Sequence, residues 1–483
     1  MTTLTEPTPE FLQDLRDFLG PSGWLPAEEH PHYFVEPRGK WRGRAALIAR
    51  PVLTEEVAEL VRRCAEARVG IVPFSGGTGL VAGQIATHGP SPVLISTERM
   101  ARIRSVSPED GAMIVEAGCV LETVQAAAEE AGLLFPLSYA SQGSARIGGA
   151  LGANSGGVQV IRYGNARDLC LGIEAVLPDG SIFHGLKTLR KDNTGYDLRH
   201  LLIGAEGTLG IVTAAALKLF PRPKEIATAL CAVPSPADAL TLLRRCQAAL
   251  GETVTAFELI ARQGVDFVID HIDRSRDPMA ERHEWYALIE VGGAPGLAEG
   301  FEEALGAAIE DELVLDAVPA ASESQRQELW RLRENIPLAN AEVGAIASHD
   351  VSVPISRIAE FIDEGAAVLA EVTQGNARIN CFGHLGDGNL HYNVYPPENR
   401  RREEPEFKAM AGPVTRAVHD LVHHYGGSIS AEHGIGRAKR EDLARYGDPA
   451  KLAAMRAIKR ALDPLGIMNP GAVLPEDGKG VMA

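Results

Sequence analysis

The stretch PFSGGTGLVAGQ, residues 73–84, is dense in glycine and follows a predicted β-strand. A glycine turn after a strand is typical of a dinucleotide-binding βαβ unit, in which the turn opens a helix whose N-terminus holds the pyrophosphate. Here IATHGPSP and a second predicted strand follow instead of a helix. The pattern therefore argues against an NAD-dependent Rossmann dehydrogenase. Taken alone, the stretch is either a surface loop or a phosphate-binding loop whose successive backbone N–H groups form a concave nest.

Two further glycine-rich stretches lie in the same half of the chain. Residues 148–180 read GGALGANSGGVQVIRYGNARDLCLGIEAVLPDG, and residues 193–213 read NTGYDLRHLLIGAEGTLGIVT. Glycine allows a flat ligand to approach bare backbone. Three such loops, each attached to a strand, favour one large cofactor over three unrelated turns.

The composition limits the class of protein. A length of 483 residues predicts two or three domains, and a net charge of −17 argues against a nucleic-acid partner. The sequence predicts no transmembrane helix, and its N-terminus predicts an amphipathic helix rather than a signal peptide. The six cysteines are scattered without a CxxC pair, as in proteins with reduced thiols. We therefore predict a cytoplasmic protein.

A second feature is CFGHLGDGNLHYNV, residues 381–394, in which Asp387-Gly388 predicts a hairpin turn between His384 and His391. Side chains on one face of a hairpin come within about 5 Å of each other. That is close enough for two ring nitrogens to lie about 2.1 Å from one Zn²⁺. Asn393 shares the face of His391 by strand periodicity. The alternative is a pair of surface or hydrogen-bonded histidines.

A third ligand for such a cation is offered by SISAEHGIG, residues 428–436, which contains Glu432 and His433. Two histidines and one carboxylate leave coordination positions open, as in catalytic rather than structural sites. Imidazole and carboxylate suit Zn²⁺, Mn²⁺ or Fe²⁺, and the pattern does not choose among them.

An arginine lies in the apolar stripe of the helix predicted for SESQRQELWRLRENI, residues 322–336. The inward positions are Leu329, Leu332, Arg333 and Ile336. A buried guanidinium needs a carboxylate partner. The partner is either a structural acidic residue or the carboxylate of a substrate, held bidentately.

The three glycine-rich stretches together resemble the FAD-binding domain of the vanillyl-alcohol oxidase/p-cresol methylhydroxylase (PCMH) family. The second half resembles the FAD-linked oxidase C-terminal domain of D-lactate and D-2-hydroxyglutarate dehydrogenases and the glycolate oxidase flavin subunit. The resemblance implies an α+β fold in which a PCMH-type FAD-binding domain of two α+β subdomains precedes an α+β cap domain with an antiparallel sheet. We accordingly predict an N-terminal helical segment, the FAD-binding domain, the substrate or cap domain and a C-terminal helical segment, at residues 1–39, 40–222, 223–439 and 440–483.

The resemblance also implies which residues bind FAD. The positions that it carries over are Pro73, Ser75, Gly76, Gly77, Thr78, Gly79, Ser144, Gly148, Gly149, Asn154, Gly157, Glu206, Gly207, Ile211 and Asn469. Some family members attach the flavin covalently through a His or Cys in the first loop. Because Phe74-Ser75-Gly76 contains neither residue, we predict noncovalent FAD.

For the second half, the resemblance implies a divalent metal on His384, His391 and Glu432, with zinc the first choice. It gives His433 as general base and Arg333 as the contact to the substrate acid, and we predict that Asn393 orients substrate or metal ligands. The implied activity is FAD-dependent oxidation of a D-2-hydroxy acid to the 2-oxo acid by hydride transfer to flavin N5. An electron-transfer flavoprotein or a quinone is the expected acceptor, and the resemblance allows a homodimer. The alternative is a non-catalytic FAD-containing electron-relay subunit, which needs neither metal nor base.

The sequence departs from relatives specific for 2-hydroxyglutarate at two positions. Those relatives have a Thr four residues after the arginine and a Lys shortly before the DxSxP segment, and both help to hold the distal carboxylate. Here the positions are Pro337 and Ser348, with His349 as a candidate substitute. The departure keeps D-lactate-like acids among the expected substrates.

Overall fold

A computed structural model describes residues 3–475 and divides them between two compact units. The first unit contains the chain up to Gly156, Asn165–Pro221 and the chain from His433 onward, and the second contains Gly157–Gly164 and Arg222–Glu432. Both predicted terminal segments thus lie in the first unit, although residues 476–483 of the C-terminal one are outside the described residues. The four-segment division stays a prediction.

Both units contain helices and strands. The strands are β1 Trp24–Leu25, β2 Leu47–Ala49, β3 Ile71–Phe74, β4 Val93–Ser96, β5 Ile103–Ser107, β6 Ala112–Glu116, β7 Leu133–Leu134, β8 Cys170–Val176, β9 Ile182–Gly185, β10 Ile211–Lys218, β11 Phe220–Pro221, β12 Glu225–Val233, β13 Val254–Ala261, β14 Trp285–Gly293, β15 Asp316–Pro319, β16 Ala347–Ser352, β17 Arg378–His384 and β18 Asn389–Tyr395. The α-helices are α1 Pro9–Leu19, α2 Thr54–Ala67, α3 Leu121–Glu130, α4 Ile147–Ala153, α5 Val160–Tyr163, α6 Leu198–Leu202, α7 Pro236–Leu250, α8 Arg262–His271, α9 Leu297–Glu310, α10 Glu323–Val343, α11 Ile358–Thr373, α12 Pro405–His424, α13 Arg440–Tyr446 and α14 Pro449–Leu462. Short 3-10 segments lie at Ala27–Glu29, Pro31–Phe34, Gly251–Thr253 and Ile355–Arg357.

Two larger sheets organise the first unit, beside a small antiparallel pair of β7 and β11. One has the order β1-β2-β4-β3, with parallel pairing of β2, β4 and β3, and the other is an antiparallel sheet of order β5-β6-β10-β8-β9. Helix α2 packs its apolar stripe of Leu60, Val61 and Cys64, all fully buried, into the core of this unit. Burial of each such leucine or valine is worth about 1.5–3 kcal/mol. The predicted pair of α+β subdomains is confirmed.

The second glycine-rich stretch differs from the expectation of a loop. Residues Ile147–Ala153 form helix α4, and Asn154 ends it with a φ of 53°. The helix lies close to the end of β6, because a Cβ added at Gly148 would lie 2.8 Å from the Cβ of Ala117. The glycine there allows helix and strand end to approach, rather than leaving the backbone irregular.

A seven-stranded antiparallel sheet organises the second unit, in the order β15-β12-β14-β13-β17-β18-β16. Helices α8 and α10 cover one face of it, where Ile336 and Val265 pack with Ile260, Leu288 and Phe382. The antiparallel sheet predicted for the second half is confirmed. Within residues 3–475, no helix combines the length and apolar character that a bilayer crossing needs.

The predicted hairpin is formed by β17 and β18, in a register that pairs Phe382 with His391. Strand β13 lies on one side and pairs Glu258 with His384, and strand β16 lies on the other and pairs Asp350 with His391. Since paired residues share a face, these polar side chains project from the same side of the sheet as the core packed under α10.

Candidate functional site

The second unit brings together the three residues predicted to bind a metal. His384, His391 and Glu432 each offer a ligand atom, and these atoms all lie within 4.8 Å of one another. Atoms bound to one Zn²⁺ are separated by about 3 to 4 Å, so only small adjustments are required. The two imidazoles are diagonal neighbours across the hairpin, with ring centroids 5.8 Å apart and nearly perpendicular rings.

The hydrogen bonds of His384 fit a metal-binding role. Its Nδ1 contacts Oε1 of Glu258 at 2.5 Å, and its Nε2 lies 3.5 Å from Oε1 of Glu432. If Nδ1–H is the donor to Glu258, the lone pair of Nε2 is directed toward the other candidate ligands. Metal-binding histidines usually have this carboxylate partner on the second ring nitrogen.

Burial and neighbouring charges perturb the acid–base chemistry of this cluster. Burial opposes the charged form of His384, but the carboxylates of Glu258 and Glu432 outweigh it and raise its pKa to about 9. Burial raises the pKa of Glu432 to about 7, with Asp350 and Asp387 adding to the rise and His384 opposing it. A cation ligated here would compete with these protons, so its binding releases protons and strengthens as pH rises.

Arg333 is buried on α10, as the sequence predicts, and its Nε donates to Oε2 of Glu258 at 2.6 Å. The guanidinium also lies over the ring of Phe382, with 4.8 Å from Cζ to the ring centroid. Burial would raise the pKa of Glu258, but Arg333 and then His384 hold it at about 2. Of the two partners that the sequence allows for Arg333, the acidic residue of the protein is therefore present. This ion pair uses Nε alone, and a guanidinium has further N–H groups for another carboxylate.

Asn393 and His349 occupy different environments. Asn393 is buried on the metal-ligand face of β18, and its side-chain oxygen accepts the backbone N–H of His349 at 3.2 Å. The imidazole of His349 lies on the opposite face of β16, where Nδ1 contacts the carbonyl of Tyr392 and the ring packs against His419 of α12. Strand alternation directs His349 away from Arg333, which argues against His349 as a substitute ligand for a distal carboxylate.

In the first unit, the predicted FAD-binding stretches pack against one another. A Cβ added at Gly76 would lie 2.6 Å from the carbonyl oxygen of Ser144, and one at Gly149 would lie 3.3 Å from the Cβ of Ser75. A Cβ added at Gly207 would lie 2.7 Å from Cγ of Pro73. The φ of Gly207, 70°, also lies in the region that favours glycine. Side chains are thus excluded where these stretches meet, which fits a cradle for a large flat cofactor bound through backbone groups.

Glu206 and Asn469 connect these stretches to the C-terminal part of the same unit. The two carboxylate oxygens of Glu206 accept the backbone N–H groups of Ile435 and Gly436, each at 2.8 Å. The side-chain amide of Asn469 donates to the carbonyl oxygens of Gly83 and Glu206. Burial raises the pKa of Glu206, although the two backbone donors oppose the rise. Both side chains therefore use polar atoms to hold loops.

The other predicted cofactor residues have varied surroundings. The backbone oxygens of Gly77 and Gly79, either side of Thr78, accept hydrogen bonds from Gln84. The Asn154 side chain accepts the N–H of Arg167. Ile211 is buried in the core of its unit, so its side chain packs with other apolar residues. Gly157 begins the short excursion of the chain into the second unit, and His433 follows Glu432 directly and begins the return to the first.

Sequence reasoning missed Glu258 altogether. It lies on strand β13, VTAFELIA, without a flanking motif, and it is fully buried. The only available signal was a charged residue in an otherwise apolar strand, which requires a buried partner.

The fold, the packed glycine-rich stretches and the polar cluster around His384 are those of a flavin-dependent oxidoreductase. The chain belongs to the FAD-linked oxidase family. The profile described as "FAD linked oxidases, C-terminal domain" matches residues 222–473, and the one described as "FAD binding domain" matches residues 45–185. The first match covers more than half of the chain. FAD binding thus follows from the family, while the residues that contact FAD remain predictions.

Among curated proteins, the chain is similar to dehydrogenases named for D-2-hydroxyglutarate. It is 36% identical over 438 residues to the mitochondrial enzyme of Arabidopsis thaliana, covering 90% of this chain and 76% of that protein. It is also 36% identical over 441 residues to the enzyme of Xanthomonas citri pv. viticola, covering 91% of each.

Solved structures support the fold. p-Cresol methylhydroxylase with substrate bound superimposes with a TM-score of 0.77, at 16% identity and 98% coverage of both chains. 4-Ethylphenol oxidase from Gulosibacter chungangensis superimposes with a TM-score of 0.71, at 17% identity, covering 98% of this chain and 99% of that one. The predicted PCMH-type fold is confirmed.

Proposed function

We propose that the protein is an FAD-dependent dehydrogenase that oxidises a D-2-hydroxy acid to the 2-oxo acid with the assistance of a divalent metal. The observation that carries the proposal is the convergence of His384, His391 and Glu432 in the second unit, with buried Arg333 joined to the same cluster through Glu258. An electron-relay subunit has no use for such a donor set. Zinc is the first choice of metal, with manganese or iron as alternatives.

Each protein group has a role in this chemistry. Arg333 binds the substrate carboxylate through its remaining N–H groups, and Asn393 orients the substrate or the metal ligands. His433 accepts the hydroxyl proton as general base. His384, His391 and Glu432 would hold the divalent metal, whose Lewis acidity would lower the pKa of a substrate hydroxyl. The glycine-rich stretches would hold FAD noncovalently, and the flavin would supply the hydride-accepting chemistry at N5 for oxidation at the substrate Cα.

The substrate is a small D-2-hydroxy acid. Relatives at 36% identity are named for D-2-hydroxyglutarate, which favours a dicarboxylic acid. Pro337 and Ser348, both exposed, stand where a threonine and a lysine are expected in relatives specific for that acid, which favours D-lactate-like acids. The enzyme passes electrons to an electron-transfer flavoprotein or a quinone, and we expect a cytoplasmic protein that can form homodimers.

The activity is tested on the purified holoprotein under anaerobic conditions. We expect a yellow flavin chromophore that bleaches on addition of D-lactate, D-2-hydroxyglutarate or a related D-acid, and not with the L-enantiomers. A flavin that none of a panel of D-2-hydroxy acids reduces would contradict the proposed reaction.

The metal is tested by replacement of one ligand. We expect His391→Ala to lose both bound metal and turnover while FAD content stays at the wild-type level, because all of the predicted flavin residues except Gly157 lie in the first unit. His424→Ala, at the exposed end of α12, is the matched control and should retain both. Turnover by a metal-free His391→Ala protein at the wild-type rate would exclude a role for the metal.

A further inference from the structure

Glu258 lies fully buried on β13, and each of its two carboxylate oxygens contacts a different residue of the proposed active site. Oε1 contacts Nδ1 of His384 at 2.5 Å, and Oε2 accepts from Nε of Arg333 at 2.6 Å. His384 is opposite Glu258 in the strand register, whereas Arg333 approaches from α10. One carboxylate thus joins a candidate metal ligand to the candidate substrate anchor.

We propose that Glu258 is a positioning residue that orients the His384 imidazole toward the metal and the Arg333 guanidinium toward the substrate carboxylate. This inference rests on the proposed function and adds a residue to it. It makes metal binding and substrate binding depend on the same side chain.

The effect on His384 follows from the two ring nitrogens. A carboxylate at Nδ1 favours the tautomer whose proton is on that nitrogen and restricts rotation of the ring. Nε2 then has its lone pair directed toward the ligand cluster, where Glu432 lies 3.5 Å away. Without Glu258, the imidazole could place its proton on Nε2, which cannot bind a cation while protonated.

The effect on Arg333 follows from its burial. A guanidinium that is almost entirely enclosed needs a carboxylate nearby, and Glu258 supplies one that contacts Nε. Stacking over Phe382 orients the guanidinium plane further. This arrangement restrains the stem of the side chain and leaves the terminal nitrogens for the bidentate recognition of a second carboxylate.

A second glutamate–arginine pair in the same unit offers a matched control. Glu290 is buried on the neighbouring strand β14, and its Oε2 accepts from Arg326 at 2.9 Å and from Trp330 at 2.7 Å. Arg326 lies on α10 about two helical turns before Arg333. Glu290 thus joins the same helix to the same sheet. Its side-chain hydrogen-bond partners within the described residues are Thr228, Arg326 and Trp330, none of which is a candidate metal ligand.

The test compares Glu258→Gln with Glu290→Gln in the FAD-loaded full-length protein. Zn²⁺ affinity is measured by competition with a chromophoric chelator, and FAD content and KM for the best D-2-hydroxy acid are measured alongside. We expect Glu258→Gln to weaken Zn²⁺ binding about 10- to 100-fold and to raise KM, with unchanged FAD content. Glu290→Gln should lower the melting temperature and leave Zn²⁺ affinity and KM at wild-type values.

If Glu258→Gln does not fold, Glu258→Asp keeps the charge that Arg333 needs while shortening the side chain, and we expect about tenfold weaker Zn²⁺ binding from it. Wild-type Zn²⁺ affinity in the folded variant, or an equal loss in Glu290→Gln, would overturn the positioning role. Flavin bleaching by substrate in the wild-type protein is the separate test of the proposed function. A wild-type protein that bleaches but whose variant binds Zn²⁺ normally would therefore refute this inference alone.

Discussion

The Oδ2 atom of Asp350 accepts the backbone N–H of Glu432 at 3.1 Å. Asp350 is buried on β16 and lies opposite His391 in the strand register, and its other oxygen accepts the side-chain amide of Asn389. The carboxylate therefore ties the segment that carries the acidic candidate ligand to the sheet that carries the imidazoles.

This anchoring predicts a metal-binding defect in Asp350→Asn. The variant keeps the shape of the side chain but loses its negative charge and one of its acceptor oxygens. We expect about tenfold weaker Zn²⁺ binding, measured by chelator competition. Asp266→Asn, which disturbs ion pairs with Arg262 and Arg282 on the α8 side of the same unit, should leave Zn²⁺ affinity unchanged. Equal Zn²⁺ affinities in the two variants would argue against the anchor.

Glu206 predicts a stability defect that is confined to the first unit. Glu206→Gln replaces one acceptor oxygen by an amide that faces a backbone N–H donor, so one of the two bonds to Ile435 and Gly436 is lost. Loss of a buried bond to a charged group costs about 1–3 kcal/mol. We expect a lower melting temperature and reduced FAD retention on gel filtration. Glu55→Gln, at an exposed position of α2, should behave as wild type.

The ion pairs of Glu116 are expected to make the stability of the first unit depend on pH. The buried carboxylate of Glu116 accepts hydrogen bonds from Arg102 and Arg104. Burial by itself raises the pKa of Glu116, but the two arginines outweigh burial, so the pKa in the folded protein lies below its usual value. Its stabilisation is therefore present above the unfolded pKa of about 4.3 and is lost as pH falls through the lower folded value.

Glu116→Gln should thus be less stable than wild type at pH 7, by about 1–3 kcal/mol, and the difference should shrink as the pH approaches 3. Urea unfolding between pH 7 and pH 3 measures both effects. A constant difference over this range would show that the carboxylate charge of Glu116 contributes nothing to folding.

The side chain at position 348 is expected to influence whether the enzyme prefers D-2-hydroxyglutarate or D-lactate. Ser348 is exposed on the face of β16 that carries Asp350, directly opposite Asn393 in the register. The family resemblance implies a lysine near this position in relatives specific for 2-hydroxyglutarate. We expect Ser348→Lys to raise kcat/KM for D-2-hydroxyglutarate relative to D-lactate about tenfold, equivalent to about 1.4 kcal/mol. Ser348→Met, similar in length but uncharged, should not. If Ser348→Lys leaves the ratio of the two kcat/KM values unchanged, residue 348 does not contact the distal end of the substrate.

The sequence by itself determined the local features of this protein. The β17–β18 hairpin could be predicted because its turn residues and its alternation are adjacent in the chain, and the same periodicity put His384, His391 and Asn393 on one face. The buried stripe of α10 that contains Arg333 followed from helical periodicity in the same way. The glycine-rich stretches were predicted to serve one large cofactor, but helix α4 was not predicted. Glycine disfavours helices, and the contacts that favour this helix are tertiary, such as the approach of Gly148 to Ala117.

Only the tertiary structure decided which distant residues meet. Glu258 precedes His384 by 126 residues, and the two are neighbours because β13 pairs with β17 across several intervening elements. Propensity and periodicity carry no information on such pairings, which depend on the global order of strands in the sheet. The same holds for the contact of Glu206 with Ile435 and Gly436 and for the face on which His349 lies. Buried charges require partners, but the chain reveals those partners only when it is folded.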